Sequence, residues 1–251
     1  METLTVARIE FRRLAVRPMV WWLTAATLAW LAWNFIIGLS GFLKLEPRLA
    51  ALPGAPGFTD LVAVPLLAQF AQIALLLAPL LAMSSLAGER RNGTLSMLFA
   101  AGTGASGIVL GKYLALLTWM GIMLLLVLAM PLSLAPATAL DWGKLAAASL
   151  GIALLLATLL ALAVACSAAT AQPALAATGA LILSLLLWAG SLAGSDLATA
   201  SPVLHYLTLP THLRPLLRGW VDTRDLVYFL LLIGLALSFA VHRLGNERKL
   251  G

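Results

Sequence analysis

Charged residues are scarce in this sequence: Asp, Glu, Lys and Arg make up 10% of 251 residues, against roughly a quarter in ordinary globular domains. Apolar residues make up 62%, and the mean hydropathy is +1.00. So few polar residues cannot coat a water-exposed surface, which excludes a water-soluble enzyme, a disordered chain and a soluble coiled coil. The single cysteine, Cys166, excludes a disulfide-stapled scaffold. An integral membrane protein is the class that remains.

Uncharged runs long enough to cross the hydrocarbon layer predict six transmembrane helices. The run 145–195 is too long for one crossing, so we expect it to turn once at 170–173, where Pro173 disfavours a continuous helix. The stretch 92–111 is also uncharged, but its glycines and serines favour a short helix and a loop over a seventh span. The predicted spans are 18–43, 61–88, 113–135, 145–169, 174–194 and 225–243.

An even number of spans leaves both termini on the same side of the membrane, and we assign that side to the cytoplasm. This orientation leaves an excess of Lys and Arg in the cytoplasm, in agreement with the positive-inside rule. The first span is too long for the core of a signal peptide and lacks a small-residue cleavage site, so we expect it to be retained. Residues 1–251 therefore form one all-α transmembrane domain.

The N-terminal segment 1–17 has the pattern of an amphipathic helix. Its apolar residues repeat at helical spacing on one face, and its basic residues are suited to anionic lipid at the cytoplasmic surface. The helix is either a topology signal alone or also a brace for a cytoplasmic partner. Its basic residues are Arg8, Arg12, Arg13 and Arg17.

The cytoplasmic loop 89–104 has the pattern of a second, shorter amphipathic helix. Gly93 permits a sharp turn, and Thr94 can cap the start of a helix. Apolar residues then follow at the spacing of one helix face, which suits docking into a groove on another protein; the alternative is a helix resting on lipid. The apolar face is Leu95, Leu98 and Phe99, and the preceding charges are Glu89, Arg90 and Arg91.

The outer loop 195–224 is too polar to span the membrane and too apolar to be a free loop. Irregular backbone at membrane depth must be covered by protein or line a wet cavity, so we expect a re-entrant segment that covers the outer side. Its candidate gate residues are His205, His212 and Arg218. Two widely spaced histidines without a cysteine are poor metal ligands, so no metal site is predicted.

The interiors of the predicted spans contain no Asp, Glu, Lys, Arg or His. Ion-coupled carriers place such groups near the midplane, and intramembrane enzymes need a nucleophile and a base or metal ligands. We therefore predict no catalytic, cofactor or metal residue, and expect any energy to come from a partner. Gln69 and Gln72 of the second span either line a path or hydrogen-bond neighbouring helices.

The run Gly107–Lys112 has only a superficial similarity to a phosphate-binding loop. It has three residues between its glycines instead of four, and Tyr113 follows the lysine in place of Ser or Thr. Nucleotide binding by this chain is therefore not predicted. We expect a glycine-rich entry to the third span, with Lys112 at the membrane interface.

Two stretches of this chain have a recognisable pattern: Glu-Arg-x-x-Gly-Thr-Leu-x-x-Leu from Glu89, and Gly-Lys-Tyr-Leu-Ala from Gly111. They resemble the signature of type-2 ABC transporter permeases. The basic N-terminal helix, the six spans and the segment 218–226 are similar too, so the resemblance covers nearly the whole chain. It is closest to the bacterial branch that includes gliding-motility and nitrous-oxide-reductase-maturation permeases. Ser96 and Gly102 depart from the family pattern, which often has an acidic residue and a proline there.

The resemblance implies the membrane subunit of an ATP-driven exporter in the bacterial inner membrane. A separate ABC ATP-binding subunit would bind ATP and magnesium, and a second permease copy or paralogue would complete a homodimer or heterodimer. Residues 89–101 would hold the coupling helix, with Glu89 and Arg90 in a charged relay, and 1–17 would be the connecting helix. The translocation path would lie at the dimer interface, lined in part by the second and fifth spans.

Two other interpretations stay open. A non-transporting assembly or mechanotransmission subunit would use the same kind of ATPase and would be favoured by a large periplasmic partner. A membrane enzyme or its scaffold would need clustered polar groups inside the spans. Nucleic acid is not an expected partner, and the sequence does not identify a substrate.

Overall fold

The structure is a computed structural model that describes residues 2–49, 55–94, 104–189 and 206–250. The chain is helical in these ranges and has no β-strand within them. A π-helical turn at Thr59–Ala63 precedes α3. The helices are α1 (Glu2–Val16), α2 (Pro18–Leu49), α3 (Val64–Ala82), α4 (Ala87–Arg91), α5 (Ala105–Leu132), α6 (Trp142–Ala169), α7 (Pro173–Ala189), α8 (Leu209–Leu217) and α9 (Thr223–Leu250).

Five of the described helical segments are long and apolar enough to cross a membrane, which is compatible with a multi-pass α-helical membrane protein. The helix α7 is apolar but shorter, with 17 residues. The predicted fifth span continues to 194, and 190–205 lie outside the described residues, so a sixth span stays a prediction. The five segments are Pro18–Arg48, Thr59–Arg91, Ala105–Leu132, Trp142–Ala169 and Thr223–Asn246.

The helix α6 forms the centre of the bundle. In its most apolar stretch 78% of the residues are buried, against 17% for α2 and 28% for α9. A helix that is apolar on all sides belongs in the interior, and here α3, α5, α7, α8 and α9 pack around α6. On α2, large apolar side chains such as Trp22 and Trp30 stay exposed, as suits contact with lipid tails.

The chain alternates between the two ends of the bundle. We call them the α1 end, which also holds α4 and the start of α5, and the α8 end, which also holds the starts of α6 and α9. At the α1 end, α6 ends at Ala169 and α7 begins at Pro173, within the stretch where the sequence predicts a break. Proline fits the first turn of a helix because the amide hydrogen it lacks has no partner there.

Two glycines with positive φ end the short helices α4 and α8. Gly93 has φ of 70°, and Gly219 has φ of 91°. After α4, the amide of Thr94 donates to the carbonyl of Glu89 at 3.0 Å, and the amide of Gly93 donates to Arg90 at 3.1 Å. This pattern is a Schellman motif, which needs a left-handed residue and so favours glycine. The backbone therefore turns sharply just before 95–103.

The helix α1 lies directly against α5. The contact is closest at Gly111, where an added Cβ would be 2.6 Å from the Val6 side chain and 3.0 Å from the Thr3 carbonyl oxygen. Leu14 is buried in the core, whereas Arg8 and Arg12 on the other side of α1 are exposed. The segment 1–17 is thus attached to the bundle through one face.

We predict that Gly111→Ala destabilises the protein, because a methyl group at this position must displace α1 from α5. Overpacking of this kind costs about 1–3 kcal/mol. The measurement is the free energy of unfolding of the purified protein in mixed micelles. Gly121→Ala on the same helix is the matched control, since an added Cβ meets no atom within 4 Å. Equal stability of the two variants would contradict the packing described.

Candidate functional site

Four charged side chains from three helices form an ion cluster at the α1 end. The ammonium group of Lys112 on α5 lies 3.0 Å from Oε1 of Glu10 on α1 and 2.9 Å from Oε1 of Glu89 on α4. Arg13 of α1 contacts the same two oxygens at 3.1 and 3.3 Å. The charges of the two acids and the two bases balance, so the cluster is close to neutral.

The cluster becomes more buried from its outer to its inner member. The side chain of Arg13 is 55% exposed, those of Glu10 and Glu89 are 14% and 12% exposed, and that of Lys112 is 2% exposed. The expected position of Lys112 at the membrane interface stays a prediction, but its side chain is enclosed between helices. The reason is the close approach of α1 at Gly111, which brings Glu10 over the adjacent lysine. The missing side chain at Gly111 thus makes the ion pair possible.

A cavity of about 490 Å³ lies beside the ion cluster. Oε2 of Glu89 is buried and has no hydrogen-bond partner among the described residues. On the cavity wall, the guanidinium of Arg17 donates to Oγ of Ser84 at 2.8 Å. A cavity of this size with charged side chains on its wall can hold several water molecules, which would satisfy the free carboxylate oxygen. The cavity also reaches Asn92 and Thr94, at the edge of 95–103.

The span Thr59–Arg91 is interrupted at 83–86, between α3 and α4. Ser167 of α6 satisfies the backbone that this break frees. Its hydroxyl oxygen accepts from the amides of Leu86 and Ala87 at 3.1 and 3.0 Å, and it donates to the carbonyl of Met83 at 3.2 Å. A serine from a neighbouring helix thus acts as the cap of α4, which has no capping side chain of its own.

The other residues predicted for coupling take different positions. The guanidinium of Arg90 is half-buried and donates to the carbonyl of Thr170 at 3.2 Å, which connects α4 to the break between α6 and α7. Arg91 is exposed. Of the predicted connecting-helix arginines, Arg13 and Arg17 make the contacts given above. Leu95, Leu98 and Phe99 lie outside the described residues.

The two candidate path residues on α3 differ in their surroundings. Gln69 is half-buried beside a cavity of about 240 Å³, and its Oε1 is buried without a hydrogen-bond partner among the described residues. Gln72 is exposed on the surface of the monomer. The role of either residue in a path stays a prediction.

At the α8 end, His212 is buried and binds Asp225 of α9. The distance from Nδ1 to Oδ1 is 2.7 Å, and Nε2 lies 2.8 Å from the carbonyl oxygen of Tyr206. Arg218 is exposed at the end of α8, and His205 lies outside the described residues. Within the described ranges, no group of three or more His, Cys, Asp or Glu side chains could hold a metal ion.

No protein-family model matches this chain, and no curated protein matches it significantly. The site is therefore interpreted from its residues and their geometry. The site residues predicted from the sequence do not include four important groups: Glu10, Lys112, Ser167 and Asp225. Lys112 and Asp225 do lie in stretches that resemble the permease motifs. A weak signal existed for Glu10, because it is an acid in an otherwise basic amphipathic helix.

The ion cluster can act as a mechanical junction. Burying a charge costs several kcal/mol unless it is paired, so Lys112 holds both carboxylates in place and they hold it. The exposed Arg13 adds little energy of its own but links the two acids on the solvent side. A displacement of α4 therefore has to move α1 and α5 or break these contacts.

We predict that Lys112→Met lowers the free energy of unfolding by about 3–5 kcal/mol, because it removes the buried cation and leaves only the exposed Arg13 to pair with two buried carboxylates. The measurement is denaturant unfolding of the purified protein in mixed micelles.

The matched control is Lys44→Met, since Lys44 is exposed. The triple variant Glu10→Gln/Glu89→Gln/Lys112→Met removes all three charges and should recover most of the loss. A Lys112→Met protein as stable as the wild type would show that the cluster does not contribute to the free energy of unfolding.

Proposed function

We propose that this chain is the membrane subunit of an ATP-driven ABC exporter. It crosses the bacterial inner membrane six times with both termini in the cytoplasm. A separate ABC ATP-binding subunit binds ATP and magnesium, and a second copy or paralogue of the chain completes the transport unit. The segment 94–101 docks on the ATPase, and the α1 end of the bundle faces the cytoplasm.

The ion cluster is the observation that carries this proposal. Glu89 and Arg90 belong to the motif that resembles the permease family, and both hold α4 to other helices. Glu89 joins α5 and α1 through Lys112 and Arg13, while Arg90 bonds the carbonyl of Thr170. The motif residues therefore sit between a candidate docking segment and the membrane-spanning bundle.

The arrangement supports a simple coupling mechanism. Closure of two ATPase subunits around ATP displaces the docking segments, and the Schellman turn at Gly93 passes that displacement to α4. The span Thr59–Arg91 and α5 then shift together with α1, because the ion cluster fixes them to each other. In a dimer this movement exchanges inward-open and outward-open states.

The test is affinity purification of the tagged chain from native membranes in mild detergent, followed by mass spectrometry. An ABC ATP-binding protein should co-purify with the wild type. The variant Leu95→Asp/Phe99→Asp should reduce its recovery at least about tenfold, the equivalent of ~1.4 kcal/mol, because two carboxylates would face an apolar groove.

The control is Val221→Asp, which changes an exposed apolar residue at the α8 end by the same chemistry. Both variants must elute as monodisperse protein with unchanged thermal stability. No ATP-binding protein on the wild type would overturn the proposal. Equal recovery on all three proteins would remove 94–101 as the docking segment. A large periplasmic protein in the complex, without a path in the dimer, would favour the assembly or mechanotransmission alternative.

A further inference from the structure

Both ring nitrogens of His212 face hydrogen-bond acceptors. Nδ1 lies 2.7 Å from Oδ1 of Asp225, and Nε2 lies 2.8 Å from the carbonyl oxygen of Tyr206. A neutral imidazole has one N–H and cannot donate to both oxygens. The two contacts therefore need either an imidazolium beside a carboxylate, or a neutral imidazole that accepts from a protonated Asp225. Both forms contain one more proton than a neutral histidine beside an ionised aspartate.

The surroundings make the loss of either hydrogen bond costly. The side chains of His212 and Asp225 are 4% and 10% exposed, so water does not replace a lost hydrogen bond. The imidazole ring stacks on Tyr228 with ring centroids 3.9 Å apart and an interplanar angle of 22°, and the Tyr206 ring lies nearly perpendicular to it with centroids 4.8 Å apart. Aromatic faces stabilise a cation placed over them. The hydroxyl of Tyr228 also donates to the carbonyl of Leu207 at 2.5 Å.

The other charged groups near α8 do not pair with His212. On α8 itself Arg214 and Arg218 are exposed, and on the first turn of α9 so is Arg224. The facing helix α6 contributes Lys144, which pairs with Asp60. Asp222 is exposed and accepts from the amide of Arg224, and α7 has no titratable side chain. Within the described part of the chain, His212 forms its ion pair with Asp225.

The geometry also excludes a catalytic dyad. In a histidine that acts as a general base, the nitrogen not held by the carboxylate must be free to reach a substrate proton. Here the Tyr206 carbonyl occupies Nε2. The pair instead ties three pieces of chain together: the segment at Tyr206 and Leu207, the helix α8, and the first turns of α9.

We propose that His212 and Asp225 form a proton-dependent latch that holds residues 206–217 on α9 and opens as the pH rises. When the shared proton leaves, one ring nitrogen without hydrogen faces an oxygen acceptor inside a buried site. Such a contact is repulsive and leaves two groups unsatisfied. The latched state binds one more proton than the open state, so it is favoured at low pH and loses stability with rising pH. This latch does not depend on the proposed transport function.

The first test measures how accessible α8 is to a thiol reagent. Leu209→Cys in a Cys166→Ser background puts one thiol at a fully buried position of α8. Its alkylation rate is divided at each pH by that of an exposed reference, Val221→Cys, which corrects for ionisation of the thiol. The ratio should rise between pH 6 and pH 9, by up to about tenfold per pH unit where one proton is released.

The matched variants are Asp225→Asn and Asp222→Asn. The first removes the carboxylate of the latch, and the ratio should already be high at pH 6 and nearly independent of pH. The second removes an exposed carboxylate nearby and should behave like the wild type. A wild-type ratio that does not change with pH would overturn the latch, and so would an identical rise in Asp225→Asn.

A second measurement needs no change in the latch itself. Solid-state NMR of protein with ¹⁵N-labelled histidine and ¹³C-labelled aspartate, in a His205→Gln/His242→Gln background, observes His212 alone among the histidines. At pH 6 we expect either two protonated ring nitrogens or a protonated Asp225 carboxyl. A neutral ring beside an ionised Asp225 at that pH would overturn the proposal, whether or not the cysteine variants fold.

Discussion

The burial of Lys112 between two carboxylates is the interaction on which the α1 end depends. An ammonium ion with 2% of its side chain exposed is stable there only because Glu10 and Glu89 lie 3.0 and 2.9 Å away. Those acids come from α1 and α4, so neither helix can leave its place without exposing or isolating a charge. The close contact of α1 at Gly111 allows Glu10 to reach this position.

The two ends of the bundle use different means to hold short helices onto long ones. At the α1 end the ion cluster and the Ser167 hydroxyl fix α4 to α1, α5 and α6. At the α8 end the contact of His212 with Asp225 and its stacking on Tyr228 fix α8 to α9, while Leu216 packs onto Gly151 of α6. The first arrangement resists displacement of α4, because breaking it isolates buried charges. The second is sensitive to one proton.

The fold class follows from the sequence because long uncharged runs have few alternatives in a membrane. The break before Pro173 can also be predicted from the sequence, because proline restricts the backbone of the residue that precedes it. The ion cluster cannot be predicted in this way, because Glu10 and Lys112 are 102 positions apart in the sequence. A lysine at the start of an apolar run also gives the same sequence pattern whether it is buried between helices or reaches the interface. The cap from Ser167, and the partner of His212, likewise depend on which helices become neighbours.

In the proposed mechanism the ion cluster transmits movement of an ATPase partner through the bundle, and docking alone is not enough. The most direct measurement uses the co-purified complex with one thiol, Val221→Cys in a Cys166→Ser background, at the α8 end. Alkylation of this thiol is followed with and without ATP. With the native cluster, ATP should change the rate, and Glu89→Gln should abolish the change while the ATPase stays bound. An ATP-dependent change of the same size in Glu89→Gln would contradict the account.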